Sequence, residues 1–123
     1  MLRVQFFVLG VTDMARAIGF WTQALGYVVT AGGPGARWTE LAPPDGQGPA
    51  LALQYSESPV EPHPRLHLDL SVANVAEQVA EADRLVSLGA SQLDWDLYPA
   101  DPDFVVLADP DGNRFCVVDL SHG

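Results

Sequence analysis

Lysine is missing from this chain altogether, and its 6 basic residues, all arginine, are outnumbered by 16 acidic ones. A surface that grips nucleic-acid phosphates needs clustered cations, and a chain of net charge −10 without a run of arginines offers none. Nucleic acid is therefore not an expected partner. Cysteine is nearly absent too: Cys116 stands alone, so no internal disulfide forms, which suits a reducing cytoplasm. Long apolar runs are also lacking. No stretch approaches the roughly 20 residues of a membrane-crossing helix, so no membrane partner is expected. The opening MLRVQFFVLGVTD is broken by Gln5, ends at Asp13 and has no small-residue cleavage site, so it reads as a strand rather than a signal peptide. What remains is a 123-residue chain, 48% hydrophobic, enough for one globular domain over residues 1–123 with a core of its own.

Hydrophobic spacing gives the order of elements. Residues 3–9 are short, apolar and β-rich. Thr12 or Asp13 can cap a helix whose apolar face carries Met14, Ala17, Ile18, Trp21 and Leu25, with Gly26 ending it. Strands are expected over 27–30, 37–41 and 50–55, separated by the turn-forming GGPG and PPDGQGP. The order then repeats: a strand over 66–72, a cap at Asn74, a helix over 75–88 stopped by Gly89, and strands near 91–93, 104–107 and 114–119. Val11-Thr12-Asp13 matches Val72-Ala73-Asn74, and Leu25-Gly26 matches Leu88-Gly89, with the second helix two residues longer. This duplication predicts an α+β fold of two βαβββ modules, the first over about 1–57 and the second over about 66–121. The proline-rich segment 56–65 links them.

Several motifs carry a family resemblance across nearly the whole chain. They are Val11-x-Asp13 with Phe20-Trp21 and Leu25-Gly26-Tyr27, then His67-Leu68-Asp69-Leu70-x-Val72, and finally Ala108-Asp109-Pro110-Asp111-Gly112-Asn113-Arg114-Phe115-Cys116-Val117. The sequence resembles the vicinal-oxygen-chelate superfamily, in particular its small glyoxalase and bleomycin-resistance members. The resemblance implies a half-open curved sheet that cups a small molecule, and a homodimer. The family's activities range from isomerisation and dioxygenation to drug sequestration, so fold alone does not assign a reaction.

Catalytic members carry metal ligands at two recurrent places: His or Gln in a module's first strand, and commonly Glu in its last. Mapped onto this chain, the first-strand positions are Phe6 and His67, and the last-strand positions are Gln54 and Cys116. Phenylalanine cannot ligate, and a thiol stands where a carboxylate is usual. No metal cofactor is therefore expected; if a divalent ion is held, His67, Gln54 and Cys116 are its donors.

Alternation along the strand over 66–72 puts His67, Asp69 and Ser71 on one face and the leucines on the other. By the same rule Phe6, Val8, Ala52, Gln54, Cys116 and Val118 face the ligand, with Trp38, Tyr55, Trp95, Tyr98 and Phe104 as aromatic candidates for its rim or floor. The expected function is binding of a small, partly aromatic organic molecule by Phe6, Val8, Trp38, Gln54, His67, Ser71, Phe104 and Cys116. One alternative is a metal-dependent lyase, isomerase or dioxygenase. Another is metal-free proton transfer by His67 with Asp69 as catalytic pair, since a neighbouring carboxylate raises imidazole basicity. Cys116 reads as a buried, inert thiol.

Overall fold

The computed structural model describes all residues, Met1–Gly123. The chain divides into two compact units, Met1–Pro59 and Val60–Gly123, and the boundary falls within the proline-rich segment. The first contains β1 (Phe7–Val11), α1 (Met14–Leu25), β2 (Val28–Ala31), β3 (Trp38–Ala42) and β4 (Leu51–Tyr55). The second contains β5 (Leu68–Val72), α2 (Val75–Leu88), β6 (Ser91–Gln92), β7 (Phe104–Ala108) and β8 (Arg114–Asp119). No helix is long and apolar enough to cross a membrane.

Each unit folds its β strands into one open, four-stranded sheet, in the order β1-β4-β3-β2 and, identically, β5-β8-β7-β6. The first and last strands of each unit run parallel, and the other pairings are antiparallel. The duplicated α+β architecture expected from the sequence is thus present, down to helices of 12 and 14 residues.

Local chemistry sets the helix ends. Asp13, not Thr12, caps α1 by accepting the Arg16 amide at 3.1 Å, and Gly26 closes the helix at φ 69°, where a side chain would be strained. On α2 the caps are reciprocal: Asn74 accepts from the Glu77 amide while the Glu77 carboxylate accepts from the Ala73 amide. The buried face of α1 is Met14, Ala17, Phe20 and Trp21. Ile18 and Leu25 are only half-buried, while Phe20 is buried and meets Trp21 edge to face at 5.0 Å. On α2 a polar residue enters the core. Gln78 is buried because its amide donates to the Asp103 and Val117 carbonyls and so fixes the helix to β8.

Two strand starts shift by two residues or more from the sequence reading, and the others by at most one. β1 begins at Phe7 rather than Arg3, since the first ladder bond runs from the Phe7 amide to the Ala50 carbonyl. β5 begins at Leu68, paired with Phe115, so His67 stands one residue ahead of the sheet. Hydrophobicity predicted both strands, but a strand lasts only as long as its partner is alongside.

Candidate functional site

The second unit carries a cavity of ≈ 430 Å³ on its sheet. Alternation builds the floor: Arg114, Cys116 and Val118 of β8 project beside Phe104 and Val106 of β7, and Asp69 of β5 pairs in register with Cys116. Leu68, Leu70 and Val117 point the other way, into the core that α2 covers. One wall comes from His63 and Pro64, ahead of β5, and another from Trp95 and Leu97, after β6. His63 Nε2 lies 2.9 Å from Asp96 Oδ1, and its ring is 5.0 Å from that of Trp95, so these walls hold each other. That hydrogen bond from His63 is the main reason the Asp96 carboxyl titrates below its ordinary range. Tyr98 supports the wall from behind. Its ring meets Phe104 at 5.3 Å, and its hydroxyl accepts the Val106 amide at 2.8 Å.

His67, Asp69, Phe104 and Cys116 line this cavity together. His67 Nε2 is 3.0 Å from Asp69 Oδ1. A carboxylate only accepts, so the neutral imidazole places its proton on Nε2 and leaves the Nδ1 lone pair outward. The Cys116 thiol is pushed up to about 12, by burial first and then by the charge and hydrogen bond of Asp69. It is a thiol, not a poised nucleophile. Ser71 projects from the same strand but lines a separate shallow depression with Glu77, Arg84 and Leu120. In the first unit, Phe6 meets Trp38 edge to face at 5.9 Å, Trp38 pairs in register with Gln54, and Val8 is exposed. The Tyr55 ring lies 4.4 Å beneath the Arg37 guanidinium, and its hydroxyl bonds Glu57 at 2.8 Å.

Register corrects one correspondence. Asp69 pairs with Cys116, and the equivalent Val8 pairs with Ala52. The first-unit counterpart of Cys116 is therefore Ala52. Gln54 lies two residues further on, where the second unit has Val118, because Trp38↔Gln54 matches Phe104↔Val118. Sequence could not align these strands, since nothing outside the sheet fixes which residues face each other. Arg114, Val106 and Leu97 were also not singled out. Arg114 and Val106 share strand parity with Cys116 and Phe104, so that signal was present. His63 and Pro64 sit in a segment with no periodicity to read.

The nitrogen, oxygen and sulfur ligand atoms of His67, Asp69 and Cys116 lie within 4.8 Å of one another. This set does not fit the hard-metal site of oxygen-chelating relatives. One of its three donors is a soft sulfur where a carboxylate is usual, and its imidazole and carboxylate are already hydrogen-bonded to each other.

The sequence model of the glyoxalase-like domain matches residues 6–118. Comparison with curated protein sequences finds no match. Among solved structures, a glyoxalase/bleomycin resistance protein/dioxygenase family enzyme from Burkholderia phytofirmans PsJN superposes with a TM-score of 0.74 at 12% identity, over 97% of this chain and 99% of that one. The fosfomycin resistance protein FosX from Listeria monocytogenes gives 0.72 at 12% identity, over 96% and 91%. TnmS3, an antibiotic binding protein from Streptomyces sp. CB03234, gives 0.63 at 27% identity, over 97% and 96%. With the family model covering nearly its full length and the fold agreeing throughout, the chain belongs to the glyoxalase-like domain family of the vicinal-oxygen-chelate superfamily.

Proposed function

We propose that the cavity of the second unit binds a small, partly aromatic organic molecule, and that binding there needs no metal. The observation that carries this reading is the cavity's make-up. Phe104, Val106, Cys116 and Val118 form a largely apolar floor beside a wall that carries Trp95 and Leu97, and His67, Asp69 and Arg114 supply polar groups that can orient a guest. The departure of the His67, Asp69 and Cys116 donor set from hard-metal chemistry supports the second part. The likeness to TnmS3, named as an antibiotic binding protein, supports binding of an organic molecule. We also propose a homodimer, the assembly that the family resemblance implies.

A thermal-shift screen of drug-sized aromatic compounds tests the reading, because a ligand that binds only the folded state raises its melting temperature. Hits are expected to lose their shift in Phe104→Ala and Trp95→Ala. Hits unaffected by both substitutions would place the ligand elsewhere. Elemental analysis of protein purified without chelator tests the metal-free part, and a stoichiometric ion lost in His67→Ala would overturn it.

A second reading has its own observation. The 3.0 Å contact of His67 with Asp69 occupies Nε2 of a cavity-lining imidazole and leaves Nδ1 available as a base. If a bound compound is turned over, His67→Ala abolishes turnover while leaving binding; turnover that survives the change excludes this pair.

A further inference from the structure

Among the polar groups of the cavity, Arg114 differs from the rest. It is the one arginine in the lining and stands at the end of β8 where the strand leaves the Asp109–Asn113 turn. Its Nη1 donates to the Gly112 carbonyl at 2.7 Å. That carbonyl is itself held in place. The Asp109 carboxylate accepts the amides of Asp111 and Asn113 at 3.0 and 2.8 Å, and Gly112 takes φ 92°. The turn therefore fixes one corner of the guanidinium before any ligand arrives. Nε is buried and has no hydrogen-bond partner. A buried donor without an acceptor is costly, and an acceptor brought by a ligand would recover that cost. Nε and Nη2 share the edge of the plane away from Nη1, and that edge is a two-donor fork matching a carboxylate.

The opposite charges in the cavity do not cancel this. The Asp69 oxygens are engaged by His67 and by the Cys116 thiol. Asp103 lies beyond Phe104, which pairs with Val118, four residues along β8 from Arg114. At about 3.3 Å per residue the two ends are roughly 13 Å apart. The cavity is thus polarised, with the Arg114 guanidinium at one end, Val106, Cys116 and the engaged Asp69 in register across the middle, and Phe104 with Asp103 at the other.

We propose that the cavity selects aromatic acids, the ligand's carboxylate docking on the Nε–Nη2 edge of Arg114 while its rings lie over Val106 and Cys116 towards Phe104. This rests on the reading that the cavity binds an organic molecule, and the test separates the two. Biphenyl-4-carboxylate, biphenyl-4-carboxamide and biphenyl-4-methylamine share one body and differ in the charge at its tip. Calorimetric titration of the full chain with each should show the acid binding at least about tenfold tighter than the amide, the scale of one charge-assisted hydrogen bond. In Arg114→Gln that margin disappears and amide affinity stays; Arg114→Lys, which keeps the charge without the fork, retains part of it. Melting curves establish that both variants are folded. Equal binding of acid and amide, or tightest binding of the amine, overturns the assignment of Arg114 and leaves the cavity reading intact. Failure of all three to bind overturns both.

Discussion

The single cysteine allows a direct test of whether this site is built for covalent chemistry. With its thiol pushed up to about 12, Cys116 at pH 8 is ionised to only about one part in ten thousand. A free thiol near 8.5 is about one-quarter ionised at the same pH. Higher basicity compensates in part. A Brønsted slope of about 0.45 over about 3.5 pH units makes the remaining thiolate about 40-fold more nucleophilic. The net expectation is alkylation about 60-fold slower than a free thiol, before the 8% exposure of the residue slows it further. Iodoacetamide labelling followed by intact mass spectrometry, with a short unstructured cysteine peptide as reference, measures this ratio. The rate should climb steadily with pH through 10 instead of levelling near the free-thiol value. Asp69→Asn should raise it only modestly, because burial is the largest cause of the shift and remains. Labelling as fast as the reference at pH 8 would refute the argument and make Cys116 a candidate nucleophile, with His67 as its base.

Three further outcomes test the fold around the site. Gly32→Ala should cost about 3 kcal/mol or more in urea unfolding, because φ is +84° and the new Cβ would lie 2.3 Å from the Trp38 carbonyl oxygen, whereas Gly19→Ala, in α1 with open space beside it, should stabilise by about 1 kcal/mol. Gln78→Leu should destabilise by about 2–3 kcal/mol, since it leaves the Asp103 and Val117 carbonyls without that donor. Stability should fall at both pH extremes. The raised Cys116 value contributes stability that is complete below about 8.5 and is lost as pH rises towards about 12. The Asp119 carboxyl, lowered chiefly by its hydrogen bonds from Ser121, contributes stability present above about 3.9 and lost as pH falls through its folded value. Thermal melts of wild type against Cys116→Ala and Asp119→Asn should show each loss disappear in its own variant.

Hydrophobic period, capping residues and glycine stops are local properties. They were enough to determine from sequence that the chain is a duplicated βαβββ protein, with Asn74 and Gly26 at helix ends and α2 over Val75–Leu88. Period two along β5 and β8 likewise placed Asp69 and Cys116 on one face, with His67 continuing it just ahead of β5. Strand register was not local. Ala52 rather than Gln54 answers to Cys116 because hydrogen bonding between β1 and β4 fixes the pairing, and neither strand encodes that alone. The polarity of the site was decided the same way. Arg114 follows a turn recognisable in sequence, but only folding buries its Nε, bonds its Nη1 to Gly112, and brings residues 63–64 and 95–97 over the sheet. Side-chain type and spacing determine which groups share a face. Burial and partner geometry decide what those groups can do there, and both depend on segments far apart in the chain.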